Sequence, residues 1–206
     1  MIGLAISTHR RPDVLAKSLS EWAKHMPDVL VVNHDRDGEG VAATKNAGIR
    51  ALMDAGCDHL FLADDDIHPR TPDWWLPYVR HTEPHLAMCW GQKRLIKTTD
   101  DTTVWDWPRG VMLYAERRVV ERVGGMRLEF GRWGHEHVEW SLRVHTAGLT
   151  SHPYQDLHGS AELFYALDWH RTHRGTVEGA ARREGAARRE TAWQQYAGTD
   201  DFVDYR

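Results

Sequence analysis

Cysteine is nearly absent from this chain of 206 residues: only Cys57 and Cys89 occur, both in apolar surroundings. Two such thiols argue against a disulfide scaffold and against a cysteine-based zinc site, and make a reducing, cytoplasmic compartment the expectation. Long hydrophobic runs are lacking as well. No apolar stretch approaches the ~18 residues that a membrane-spanning helix needs, and the N-terminus is already a core-type run, Ile2 to Ser7. Nor is there an excess of one charge. The net value of −4 leaves no global field to draw the molecule to nucleic acid or to anionic membranes. What is plentiful is histidine, with fourteen residues, and tryptophan, with ten. Tryptophans at this density offer stacking surfaces for rings, although most are expected in the core or at interfaces.

The most informative stretch is Phe61-Leu62-Ala63-Asp64-Asp65-Asp66-Ile67-His68-Pro69. An apolar run from His59 to Ala63 reads as a buried strand that ends in three carboxylates. Along an extended strand, residues i and i+2 share a side, roughly 6.5–7 Å apart. Asp64 and Asp66 then aim at one point beyond the strand end, while Asp65 points away and joins Asp64 as a donor-contact candidate. Paired hard oxygen ligands suit Mg²⁺ or Mn²⁺, which keep several waters and take other ligands from substrate phosphates. Three adjacent acids can also be a plain solvated turn. The strand before them favours a site, because ligands of open α/β sheets sit beyond the carboxyl ends of the strands.

Around this stretch the chain alternates strands and helices. Ile2 to Ser7 is followed by Thr8-His9-Arg10-Arg11 and by Pro12, which suits the first turn of a helix carrying Val14, Leu15, Leu19 and Trp22. Thr8 and Arg10 sit where the loop after the first strand could meet a nucleotide, or could equally be a plain solvated loop. Val29 to Val32 is a second strand, closing on a turn from Asn33 to Gly40 in which Asn33 and Asp35 are candidates for base or ribose. A helix spans Val41 to Ala55 and stops at Gly56. On it Lys45 and Asn46 can face a diphosphate. Pro72 to Arg80 reads as a helix, Leu86 to Trp90 as a strand, and residues 91–106 as an exposed loop or hairpin.

Trp107, Pro108, Arg109 and Gly110 lead into a strand from Val111 to Tyr114. A glycine among tryptophans can floor a sugar ring, or can simply be an aromatic corner. A short helix from Glu116 to Val123 ends at Gly124-Gly125, and helical spacing resumes from His135 to Ala147. Glu136 and His137 fall in its first turn, where a carboxylate suits the helix dipole and a neutral imidazole is a competent general base. Ser151 to Leu157 is a last strand, and His158 at its end can complete an oxygen-rich metal site with the aspartates. His170 and His173 compete for that role. From about Thr176 the composition turns to Ala, Arg, Glu and Gly, with Gly-Ala-Ala-Arg-Arg-Glu occurring twice. The expectation is one domain over 1–175 and a C-terminal helical extension over 176–206, packed across the domain or against another copy in a homo-oligomer.

The order of these pieces resembles the GT-A nucleotide-sugar glycosyltransferases, in particular the large family 2 group. The matching residues are the first strand with Thr8 and Arg10, Lys45-Asn46-Ala47-Gly48-Ile49, the Asp64-Asp65-Asp66 triplet and Gly110 before an apolar strand. Val123-Gly124-Gly125-Met126 and Trp133-Gly134-His135-Glu136-His137-Val138-Glu139-Trp140-Ser141-Leu142-Arg143 complete the set. The resemblance implies a Rossmann-like mixed, mainly parallel sheet flanked by helices. It also implies a nucleotide-sugar donor (a UDP-sugar foremost) held by Mn²⁺ or Mg²⁺, and sugar transfer to a hydroxyl. Asp64 and Asp66 then bind metal and ribose or phosphate, with His158 as third protein ligand. Inverting relatives carry Glu-Asp where this chain has Glu136-His137. The base is therefore Glu136, His137 beside it, or none if the reaction is retaining; Glu136 leads. Trp107 and Trp133 are the acceptor-side candidates, and the acceptor is a saccharide, a protein side chain or a modified base. Two competing readings are a sugar-1-phosphate nucleotidyltransferase and a protein that binds sugar or nucleotide without turnover. The first wants glycines in the loop after strand one, which Thr8 to Pro12 does not supply.

Overall fold

A computed structural model describes residues 1–25, 27–89, 94–132, 134–167 and 179–206. Its centre is a five-stranded sheet. β1 (Ile2–Thr8) pairs in parallel with β2 (Val29–His34) on one side and with β3 (His59–Asp64) on the other. β8 (Met112–Glu116) then runs antiparallel to β3, and β5 (His85–Ala87) antiparallel to β8. The order β2-β1-β3-β8-β5 therefore has four strands in one direction and β8 reversed. The apolar runs place the sheet, and alternation along them divides its two faces. Leu4, Ile6, Phe61, Ala63, Met112 and Tyr114 point to one side; Ala5, Leu60, Leu62, Leu113 and Ala115 point to the other.

Helices cover both faces. α1 (Pro12–Trp22) lays Leu15 and Trp22 on the first. There Trp22, Trp74, Phe61 and Tyr78 meet edge-on, with centroids 4.7 to 5.6 Å apart in the pairs Trp22–Trp74, Phe61–Trp74 and Phe61–Tyr78. The abundance of tryptophan is thus spent partly on packing, since Trp22, Trp74 and Trp140 are all fully buried. α2 (Val41–Asp54), α4 (Arg117–Val123) and α5 (Glu136–Thr146) cover the second face. A glycine is required on α2, because a Cβ at Gly48 would lie 2.7 Å from that of Ala5 beneath it.

Two small sheets complete the described residues. β4 (Ile67–Pro69) pairs antiparallel with β10 (Phe164–Ala166), while β6 (Leu95–Thr98), β7 (Thr102–Trp105) and β9 (Gln155–Leu157) form a three-stranded sheet. Residues 94–105 are thus a hairpin. The expected strand from Ser151 shortens to β9 and joins this side sheet. The expected helix from Pro72 shortens to α3 (Leu76–Arg80), since Asp73 adopts φ +55°. A one-turn helix, α6 (Ser160–Leu163), precedes β10.

The C-terminal segment folds back over the domain. α7 (Gly179–Tyr196) meets the 3-10 turn Leu128–Phe130 through Arg188, whose Nε donates to the Glu129 carbonyl at 2.9 Å. Beyond it Val203 bridges Gly124, with its N–H on the Val123 carbonyl at 3.0 Å. No helix among the described residues is long and apolar enough to cross a membrane.

α5 is tied to the sheet by one buried imidazole. His85 Nδ1 lies 2.7 Å from the Tyr114 carbonyl, which can only accept, so Nδ1 carries the proton and Nε2 accepts from Ser141 Oγ at 2.8 Å. Burial lowers His85 from 6.5 to about 4. The unfolded chain therefore binds this proton more readily, and the stability from neutral His85 is present above pH 6.5 and lost as pH falls toward 4. Urea unfolding between pH 7 and pH 4 is expected to show this residue costing roughly 3 kcal/mol at the acid end, with a flatter profile in His85→Gln.

Candidate active site

Register brings the ends of three parallel strands to one edge: Thr8 stands beside His34, and Ser7 beside Asp64. Gly110, just before the reversed β8, arrives at the same edge, where the Asp64 N–H donates to the Val111 carbonyl at 2.9 Å. The acidic triplet is bent. β3 ends at Asp64, and Asp65-Asp66 form a turn into β4. The extended i, i+2 geometry expected for Asp64 and Asp66 is replaced by this turn, because Asp65 is drawn inward instead of pointing away. Its carboxylate is fully buried, accepts from Thr8 Oγ1 at 2.5 Å and pairs with Arg11. Burial pushes the Asp65 carboxyl above its usual range, against the pull of Thr8 and Arg11. Arg11 also reaches Asp66 at 3.3 Å.

Asp64 has a different partner. Its Oδ1 accepts from Lys45 Nζ at 2.8 Å, and the same ammonium donates to the Gly110 carbonyl at 2.8 Å. Lys45 is 1 % exposed, and these two oxygens are the partners that its buried ammonium needs. Gly110 has no room for a side chain. A Cβ there would stand 2.7 Å from His137 Nδ1 and 2.9 Å from its Cγ, so the imidazole lies against the glycine backbone. His137 Nδ1 in turn is 3.1 Å from Glu136 Oε1. Glu136 is 3 % exposed, and its second oxygen, Oε2, is buried without a hydrogen-bond partner. Burial alone would raise this carboxyl, but the hydrogen bond and charge of His137, with Lys45 nearby, hold it down at about 2.

Gly110→Ala is accordingly expected to push the His137 ring off Glu136. Overpacking of this kind costs about 1–3 kcal/mol, and the Glu136 carboxyl should climb above 4.5 once burial acts without the imidazole. Carbon-detected NMR titration of the glutamate carboxyls would follow it.

The remaining candidates are distributed differently. Asn46 lies at 6 % exposure with its amide spent on one residue, Nδ2 donating to the Met126 carbonyl at 2.8 Å and Oδ1 accepting from the Met126 N–H at 2.7 Å. Asp35 accepts from the Gly40 N–H at 3.2 Å and faces His9 at 3.3 Å, closing its own turn. Asn33 has its Nδ2 buried and unpartnered against Gly48. Arg10 is exposed at φ +52°, and the neighbour that reaches the acidic turn is Arg11. Arg10 is the expected residue of this loop, and its neighbour Arg11 is the one that turns inward to Asp65 and Asp66. His158 is exposed at the end of β9, its N–H on the Asp101 carbonyl at 2.9 Å. Trp107 packs edge-on against His135, centroids 5.1 Å apart. Trp133, His170 and His173 lie outside the described residues.

The residues fit a divalent metal in a limited way. Asp64 and Asp66 offer hard carboxylate oxygens at a strand end, which is what Mg²⁺ or Mn²⁺ takes when substrate phosphates and water supply the rest. Among the described residues no three His, Cys, Asp or Glu side chains form a metal-holding group, so His158 is not drawn to the aspartates.

No protein-family model matches the sequence, and none of the curated proteins does. Solved structures do match. A Drosophila β1,4-galactosyltransferase 7 variant in complex with manganese, UDP-Gal and xylobiose superposes with a TM-score of 0.57 at 19 % identity, over 89 % of this chain and 78 % of that one. GalNAc-T7 with UDP, GalNAc and Mn²⁺ gives 0.56 at 12 % identity over 72 % of this chain. The fold is that of the GT-A glycosyltransferases. This chain spans 41 % of the GalNAc-T7 structure. In this fold Asp64, Gly110 and the first turn of α5 gather at one edge of the sheet, linked through Lys45 and His137.

Proposed function

We propose that the chain is a metal-dependent glycosyltransferase that moves a sugar from a nucleotide-sugar donor, foremost a UDP-sugar, to a hydroxyl acceptor. The observation that carries this reading is Glu136: a buried, ionised carboxylate with one oxygen held by His137 and the other uncommitted, at the edge that also presents Asp64. In the reaction the acceptor oxygen forms a bond to the anomeric carbon while the bond to the diphosphate breaks. The acceptor's proton passes to Glu136 Oε2. His137 keeps Oε1 in place, and Gly110 keeps His137 in place. Lys45 fixes Asp64 and adds positive charge beside the leaving diphosphate. Asp64 and Asp66 would hold a Mn²⁺ or Mg²⁺, which when bound supplies Lewis-acid neutralisation of that diphosphate. Direct displacement of this kind inverts the anomeric centre. The neighbours' ligands, UDP-Gal with manganese in one and UDP with Mn²⁺ in the other, support the donor class and the ion.

The test is a panel of nucleotide sugars with Mn²⁺, read as release of free nucleoside diphosphate, with EDTA as control. EDTA-sensitive release of UDP from one donor is the expected result. Silence across the panel together with thermal stabilisation by UDP would turn the reading into one of binding without turnover.

A further inference from the structure

We propose that α7 is a working part of the site, and that Trp193 positions Glu136 by holding His135. The inference rests on the proposed role of Glu136 and adds to it how that carboxylate is kept in place. The backbone entering α5 is irregular: Gly131 has φ +87°, Gly134 φ +96° and His135 φ +72°. Glycine adopts such angles freely, but a histidine in the left-handed region costs about 1–2 kcal/mol and persists only where its surroundings hold it.

What surrounds it comes from α7 and from Trp107. The His135 ring meets Trp107 edge-on at 5.1 Å and Trp193 edge-on at 6.0 Å, and the two indoles are 5.5 Å apart. His135 Nδ1 is buried without a hydrogen bond, so ring packing holds this side chain on that edge. Burial also lowers His135, which keeps it neutral. α7 grips the same backbone further along. A Cβ on Gly131 would stand 3.2 Å from Arg188 Cδ, and one on Gly134 3.0 Å from Arg189 Cδ. From the opposite side the Val41 N–H holds the Arg132 carbonyl at 2.8 Å. His135 is the residue before Glu136, and its carbonyl accepts the Glu139 N–H at 2.9 Å. A shift of His135 therefore moves the first turn of α5, Glu136 and His137 included. Helices presented by strained loops keep sub-ångström precision only with such bracing.

The experiment compares the 206-residue chain with its Trp193→Ala and Trp193→Phe variants, using two readouts. With the donor identified, Trp193→Ala is expected to lower the transfer kcat at least tenfold with donor KM within twofold, and Trp193→Phe to recover most of the loss. Independently of any activity, hydrogen exchange of the amides 134–140 is expected to quicken at least tenfold in Trp193→Ala, with the amides of β1 and β3 unchanged. Unchanged exchange, or an unchanged or raised kcat, would overturn the proposal, a raised kcat marking α7 as an obstructing lid. If the wild-type protein transfers no sugar, the exchange result decides alone: quickening upholds the brace while the activity reading fails. Should Trp193→Ala not fold, Trp193→Leu is judged by the same criteria.

Discussion

Glu136→Gln is expected to cut sugar transfer by about 10²–10⁴-fold, the usual contribution of a positioned general base, while leaving donor affinity within about twofold. The amide keeps a carbonyl oxygen for His137 Nδ1, so the ring stays against Gly110 and the volume is conserved. What it loses is the charge and the proton affinity of the uncommitted oxygen. A carboxylate held at about 2 in the free protein is ionised throughout the neutral range. A proton-accepting role then requires transfer to persist well below pH 6 before an acid limb sets in. His137→Ala should move that limb upward, because burial then acts on Glu136 without its partner. A full-rate Glu136→Gln enzyme would remove the residue from the chemistry. Isothermal titration with UDP and Mn²⁺ separates lost chemistry from lost binding.

The largest stability effect is expected at Arg143. This guanidinium is 1 % exposed; its Nε reaches Glu139 Oε1 at 2.7 Å and its Nη2 donates to the Gly125 carbonyl at 2.6 Å, with Nη1 on the Val123 carbonyl. Breaking one partner of a buried pair leaves the other charge without compensation, which costs about 3–5 kcal/mol. Arg127 Nε still lies 3.2 Å from Glu139 Oε1, so Arg143→Leu should fall toward the lower end of that range. Arg143→Leu with Glu139→Gln should recover part of the loss. Since whole domains are stable by about 5–15 kcal/mol, urea midpoints will show the difference, and the single variant is expected to need low temperature for expression.

The first half of the fold was legible because long apolar runs and helical spacing coincide there. β1, α1, β2, α2 and β3 all form within a few residues of the stretches that announce them. Strands of three residues carry no period, and that is why β4 and β10 were unread and why the strand expected from Ser151 to Leu157 has only its last three residues as β9. The sequence brought Lys45 and Asp64 forward separately, one toward a diphosphate and one toward a metal; that the buried ammonium pairs with the Asp64 carboxylate is a finding of the structure. Other contacts depend on tertiary detail that no local pattern encodes. The bend after Asp64 reverses the outlook of Asp65, the amide of Asn46 is absorbed by the Met126 backbone, and Arg11 turns inward where Arg10 does not. Trp193, lying in a stretch of Ala, Arg and Glu, gave no hint that it would meet Trp107 and His135.

The reversed strand has a consequence for how the chain is made. β8 fills the gap between β3 and β5, yet it is synthesised after both. From the moment β3 leaves the ribosome until β8 follows, roughly fifty residues later, β3 has one open edge and β5 has no partner in the sheet. At about 5–20 residues per second this window lasts about 3–10 s. Unpaired edges of apolar strands recruit other strands, so the nascent chain is most vulnerable to aggregation between these two events. Slower elongation over residues 65–110 lengthens that exposure.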